Sequence, residues 1–246
     1  MSEKIWKIVI LSLVAIAFFG LPFSMIAFGS DYSTRQSPLY PYRNSIFLQD
    51  DFIGGTNTTG NIGQLGWSIS AGTMALTASS TDHFGVYRMD TTAVINTLAR
   101  VFMTLPTFTP MNVPHNEIYV IRLNQVDANT TARFGDSDGF GANPPTNGIY
   151  FERLTTDTNW FGVTRSGGTQ TRVDTGVAAD TNFHTFQFNV SSANVDFLVD
   201  NTLTGSSTTN IPTVGALMGF FLTNTAAASK TMDIDYFQII FSGMNR

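Results

Sequence analysis

Apolar and polar residues alternate with a period of two along much of this chain. The clearest case is "FHTFQFNVSSANVDFLVDNTLTG", residues 183–205. Phe186, Phe188 and Val190 are separated by Gln187 and Asn189. After the break at Ser-Ser-Ala-Asn, Val195, Phe197 and Val199 alternate with Asp196, Leu198 and Asp200. A period of two places one residue set on one face of an extended strand. Two such strands joined by a short polar turn predict a hairpin with one face in a core.

The same spacing recurs in short runs bounded by Gly, Asn, Asp and Pro. They are "IFLQDDF", "WSISAG", "TMALTAS", "FGVYRM", "ARVFMTL", "EIYVIRL", "GIYFERL", "NWFGVTR", "TQTRVDT", "GALMGFFLTN" and "KTMDIDYFQIIF". Beyond Phe28 the one stretch with a helical period is "TTAVINTLARVF". A dozen short strands with no helices between them predict an all-β sandwich or jelly roll.

The first thirty residues follow another rule. From Ile8 to Phe28 there is no charge, and Lys4 and Lys7 precede the run. As a helix, these 21 residues extend about 31 Å, close to a bilayer core. A cleaved signal peptide, a retained membrane anchor and a helix packed in a protein assembly all fit. Residues 31–45, "DYSTRQSPLYPYRNS", have no period and two prolines, which predicts an extended linker. The expected organisation is a hydrophobic helix at 1–30, a linker at 31–45 and one β domain at 46–246.

Composition narrows the function. The chain is 43% hydrophobic with 21 Phe, enough for a large core, and only 13% charged. A net charge of −5 with just three lysines gives no basic cluster for nucleic acid. The absence of cysteine excludes disulfides, thiolate metal sites and a cysteine nucleophile.

The succession "FHTFQFNV…NVDFLVDNTLTG…TNIP…GFFLTN…KTMDIDYFQIIF" resembles the C-terminal half of concanavalin A-like, laminin-G-like jelly rolls. The aromatic–histidine pair is Phe183-His184, the hairpin runs from Val195 to Leu203, and the last strand holds Asp235-Tyr236-Phe237. Asn201 stands where that family often has Gly. The front half, "DDFIGG…TGNIGQLGW", is similar to the entry of jelly-roll modules in bacteriophage virion proteins. The resemblance implies a concanavalin A-like jelly-roll β-sandwich behind an N-terminal hydrophobic helix. Its motifs specify fold more than function, because this fold hosts lectins, glycosidases and inert modules.

Candidate chemistry is sparse. The glucanases of this fold carry an E-x-D-x-x-E strand, which has no match here, while glycoside hydrolysis ordinarily needs two facing carboxylates. Glu117, Glu152, Asp233 and Asp235 are the acids from which a non-standard pair could be drawn. None of His83, His115 and His184 has a second His or acid at metal-ligand spacing, so no metal site is expected. "FGDSDGFGANPPTNG" reads as a loop in which Asp136, Asp138, Asn143 and Asn147 offer oxygen ligands, with calcium as the ion they suit. Trp67 and Trp160 are the aromatic candidates for stacking on sugar.

These readings lead to a non-enzymatic structural or display module of a virus particle. It would have no cofactor and would be held by its N-terminal helix to a membrane or to other virion proteins, copies of itself included. The expected location is the virion surface or the outer side of a membrane. A lectin-like binder of cell-surface glycans is the second reading, and a glycosidase the third.

Overall fold

Among the described residues the period-two pattern becomes fifteen antiparallel strands. The computed structural model describes residues 45–53, 62–77, 82–103, 111–141 and 143–242. The expected N-terminal helix and linker lie outside them. In chain order the strands are β1 (Ile46–Asp50), β2 (Trp67–Ala71), β3 (Thr73–Leu76), β4 (Tyr87–Asp90), β5 (Leu98–Met103), β6 (His115–Leu123), β7 (Thr130–Ser137) and β8 (Gly148–Arg153). They continue as β9 (Asn159–Ser166), β10 (Thr169–Ala178), β11 (His184–Val190), β12 (Val195–Val199), β13 (Thr202–Ser207), β14 (Leu217–Asn224) and β15 (Thr231–Phe241). From Ile46 on, the described residues belong to one compact unit.

The strands form two sheets. One has the order β13-β12-β11-β6-β15-β4-β3, with β1 also pairing β15; the other runs β10-β9-β8-β7-β14-β5-β2. Strand β15 bulges between Ile234 and Tyr236, so its first half pairs with β4 and its second half with β1. The predicted hairpin is β11 and β12, with Phe186 opposite Val199, Phe188 opposite Phe197 and Val190 opposite Val195. All six side chains are buried. Leu98 to Met103, the end of the helix candidate, is a strand instead. Ala99, Val101 and Met103 point inward there, and residues 91–97 are turn and loop.

The space between the sheets is filled with aromatic rings. Phe134 of β7 meets Phe186 of β11 at 5.0 Å and Trp160 of β9 at 5.5 Å, while Tyr119 of β6 meets Phe220 of β14 at 5.6 Å. Aromatic pairs at these separations add cohesion beyond the area they bury.

The motif "DDFIGG…IGQLGW" is a carboxylate staple. Buried Asp50 accepts from Phe52 N (2.8 Å), Gln64 N (3.1 Å), Leu65 N (2.9 Å) and Trp67 Nε1 (3.0 Å). Gly63, at φ +64°, passes so close that an added Cβ would lie 2.2 Å from the Asp50 carboxylate. Burial raises the Asp50 pKa, and the four donors offset part of that rise.

Candidate functional site

Alternation along the seven-stranded sheet gathers one polar constellation on its outer face. On β7, Ala132, Phe134 and Asp136 point inward, which turns Arg133, Gly135 and Ser137 outward. Register then places Arg133 opposite Glu152, Gly135 opposite Tyr150, and Arg133 opposite Phe221 on the other side. Strand β9 adds Phe161 and Val163 beside Glu152 and Tyr150, strand β10 adds Arg172, and strand β5 adds Arg100 opposite Phe221.

Glu152 is only 1% exposed, at the centre of this face. Arg133 Nε donates to its Oε2 at 2.6 Å, and Arg172 Nε lies 3.1 Å from its Oε1. The Arg172 guanidinium lies 3.9 Å over the Phe161 ring, and that of Arg133 lies 5.3 Å from Phe221. Residues 138–141 and 143–147 lie at one end, where Arg100 Nη1 donates to Phe140 O at 3.2 Å. Arg133, Ser137, Phe140, Pro145, Tyr150 and Phe221 come together there around a shallow crevice with no room for a water molecule. Gly135 at φ +136° is required there, because a Cβ would lie 2.7 Å from Tyr150 Cα.

Several buried groups on this face have no hydrogen-bond partner: Tyr150 OH, Arg133 Nη1, Arg165 Nε and Arg172 Nε. Burial, and next the charge of Glu152, push the Tyr150 phenol above its ordinary pKa against the pull of Arg133, Arg165 and Arg172. At neutral pH the hydroxyl therefore keeps its proton and acts as a donor. The outer face carries Arg100, Arg133, Arg165 and Arg172, of which Arg133 and Arg172 are ion-paired to Glu152 and Arg172 also to Asp157.

A second cluster lies between the sheets. His115, Glu117 and Tyr119 project inward from β6, and Asp136 projects inward from β7 to meet them. His115 Nε2 is 3.4 Å from Asp136 Oδ2 and 3.7 Å from Glu117 Oε1, and Tyr119 OH donates to Glu117 Oε2. Burial first, then the charge of Asp136, lift the Glu117 pKa well above the carboxylate range; burial and Glu117 do the same for Tyr119. Among the described residues, His115, Glu117 and Asp136 form the group able to hold a metal ion, with one ligand atom of each all within 4.8 Å.

The sequence candidates scatter. Trp67 and Trp160 are core residues: Trp67 is sealed by Phe220 and Phe237, Trp160 by Phe134 and Phe186, so neither presents a face to a sugar. The expected calcium loop divides. Asp136 belongs to a strand and points into the core. Asp138 accepts from Thr146 N and Asn147 Nδ2 at 3.0 and 2.8 Å, and Asn147 Oδ1 accepts from Gly167 N at 2.9 Å. These bonds brace the loop. Asn143 is exposed. Of the four candidate acids, Asp233 is clamped by Arg88 and Arg122, and Asp235 lies 2.6 Å from His83 Nδ1. Glu117 and Glu152 fall on opposite sides of the seven-stranded sheet, which excludes them as a pair.

No protein-family model matches this chain, and no curated protein matches it in sequence. Solved structures match its fold. A protein of unknown function from Shewanella oneidensis aligns with a TM-score of 0.60 at 14% identity, over 88% of this chain and 96% of that one. The Bacillus licheniformis β-glucanase aligns at 0.55 and 15%, over 81% and 98%. The endo-1,3-β-glucanase from Streptomyces sioyaensis aligns at 0.56 and 15%, over 83% and 99%. These likenesses establish the fold, an all-β two-sheet sandwich of the jelly-roll kind. They correct the expectation of a non-enzymatic virion module: the neighbours are mostly glycosyl hydrolases, and no virion protein is among those described. Among the described residues no helix is long and apolar enough to cross a membrane, and the run from Ile8 to Phe28 lies outside them.

Proposed function

We propose that this protein is a carbohydrate-active enzyme that cleaves glycosidic bonds on the outer face of its seven-stranded sheet, with Glu152 as the reacting carboxylate. The observation that carries this reading is Glu152 itself. It is a buried acid at the middle of the sheet's outer face, held by Arg133 and Arg172, with the unpartnered Tyr150 hydroxyl two residues along the same face. Solved proteins with this sandwich include glucanases and a transglycosylase, which supports glycan as the substrate class.

The chemistry follows from what each group can give. Tyr150 keeps its proton, so it donates to the glycosidic oxygen of the leaving sugar. The Glu152 carboxylate takes a proton from a water that attacks the anomeric carbon, so that the new C–O bond forms as the glycosidic C–O bond breaks toward the oxygen that Tyr150 serves. Spare guanidinium donors on Arg133 and Arg165 orient the sugar, and Phe161 and Phe221 offer apolar surface beside them. Arg172 is the more exposed of the two partners of Glu152, and a sugar reaches the carboxylate by displacing it.

The test is release of reducing ends from a panel of neutral and acidic polysaccharides. Turnover by the wild-type chain that falls about 10²–10⁴-fold in Glu152→Gln, assayed below the variant's melting transition, is the expected result. Cleavage that persists in Glu152→Gln would place the chemistry elsewhere. Binding without cleavage by the wild type would leave a glycan-recognition face and remove the enzyme.

A further inference from the structure

We propose that His115, Glu117 and Asp136 hold a divalent transition-metal cation of the zinc class between the two sheets. This site does not depend on the reading of the outer face. It rests on how three buried side chains each keep one polar atom without a partner.

The tautomer of His115 is set by its other nitrogen. Nδ1 lies 2.7 Å from the Val113 carbonyl oxygen, which can only accept, so Nδ1 carries the proton. In the neutral ring, the Nε2 lone pair then points at Asp136 and Glu117. His115 Nε2, Glu117 Oε1 and Asp136 Oδ1 are all buried and all without a hydrogen-bond partner. Three electron-pair donors converging in a dry interior repel one another unless a proton or a metal cation sits among them.

The spacing suits such an ion. Ligand atoms bound tetrahedrally at about 2.0–2.1 Å lie about 3.3–3.4 Å apart. His115 Nε2 is 3.4 Å from Asp136 Oδ2 and 3.7 Å from Glu117 Oε1. A mixed nitrogen and oxygen set of three suits zinc or its neighbours, whereas calcium seeks six to eight oxygens. The outer shell fits as well. A metal-bound histidine donates its other N–H to a carbonyl, as His115 does to Val113, and a ligating carboxylate is itself hydrogen-bonded, as Glu117 is by Tyr119. The rings of Phe241 and Phe188, 5.3 and 6.2 Å from that of His115, exclude water. The ion would tie β6 of one sheet to β7 of the other, directly behind Gly135 and Ser137 of the outer face.

The experiment measures metal by plasma mass spectrometry on the purified full-length chain, as isolated and after chelation and titration with Zn²⁺, Co²⁺, Mn²⁺ or Ca²⁺. The expected result is one zinc per chain, a melting temperature raised about 5–10 °C at a hundredfold excess over Kd, and a cobalt form with four-coordinate visible absorption. Glu117→Gln and His115→Gln should lose the metal. If these variants do not fold, the wild-type stoichiometry and cobalt spectrum decide. A wild-type chain that takes up no cation and melts unchanged would overturn the proposal and leave a proton shared by Glu117 and Asp136. Undiminished zinc in folded variants would overturn it equally.

Discussion

Each sheet carries a carboxylate between two arginines, and the two arrangements are built to different ends. On the eight-stranded sheet, Asp233 of β15 receives Arg88 Nε and Nη2 at 2.7 and 2.8 Å and Arg122 Nε at 2.9 Å. Its two arginines are well exposed, at 40% and 35%. Water can therefore take up any guanidinium proton that the carboxylate leaves free. On the seven-stranded sheet, Glu152 is held by Arg133, whose side chain is 6% exposed, and by Arg172. Here the leftover donors are buried and unpartnered, beside an unpartnered tyrosine hydroxyl. Buried polar groups ordinarily find partners, so unmet capacity concentrated on one face marks a place prepared for a ligand. The first arrangement is a closed clamp and the second is open.

The largest expected effect separates the two at once. Arg133→Met leaves Glu152 buried with one arm lost, which costs about 3 kcal/mol. In a domain of this size that lowers the melting temperature by about 6–12 °C. It also lowers glycan turnover, since Arg133 is the strongest contact to the reacting carboxylate. Arg88→Met on the other sheet should cost less than half as much, because its guanidinium is largely solvated. Equal losses in the two variants, read by thermal melts, would erase the distinction.

Asp233→Asn sharpens the closed side. Burial alone would raise the Asp233 pKa, but the hydrogen bonds from Arg88 and Arg122 outweigh it and hold the carboxyl below its ordinary value. A depressed folded-state pKa gives stability that is present above the unfolded value and is lost as pH falls through the folded one. The wild type should therefore shed stability at acid pH that Asp233→Asn never had. At neutral pH the variant should be about 1–2 kcal/mol less stable, with glycan turnover unchanged. A loss of turnover would return Asp233 to the candidate acids.

The sequence made the closed elements easy to read and the open ones hard. Strands β11 and β12 were legible because each has one wet and one dry face, so Phe186, Phe188, Val195 and Phe197 stand out by simple alternation. Strand β7 is buried along its whole length. Its inward row ends in Asp136 and its outward row holds Arg133 and Gly135, so "TTARFGDS" shows no alternation and its glycine reads as loop. That misreading hid both sites, because β7 supplies Arg133 to one and Asp136 to the other. The Glu152–Arg133 contact spans 19 residues and the His115–Asp136 contact spans 21, and both depend on register and sheet stacking. Only the His115-x-Glu117 spacing was local, placing both side chains on the same face of a strand. "TTAVINTLARVF" failed for the reverse reason. Its apolar spacing suits a helix, but Ala99, Val101 and Met103 have a period of two that serves the core.

The smallest effect inverts the charge pattern. His184, at the start of β11, lies between two carboxylates, with Nδ1 2.7 Å from Asp200 Oδ2 and Nε2 3.0 Å from Asp180 Oδ1. Burial works to lower its pKa, but the hydrogen bonds and charges of Asp200 and Asp180 overcome that and raise it above the ordinary imidazole value. A raised folded-state pKa gives stability that is complete below the unfolded value and disappears as pH rises through the folded one. The clamp at Asp233 therefore weakens toward acid and the one at His184 toward alkali. Because Asp180 and Asp200 are 42% and 53% exposed, the His184 contribution is small, about 1 kcal/mol or less. In melts from slightly acid to slightly alkaline pH, His184→Gln should flatten the decline by about 1–3 °C. It should leave the acid limb set by Asp233 in place. If His184→Gln instead steepened the decline, the imidazole would be held neutral in the fold, and this second closed clamp would not exist.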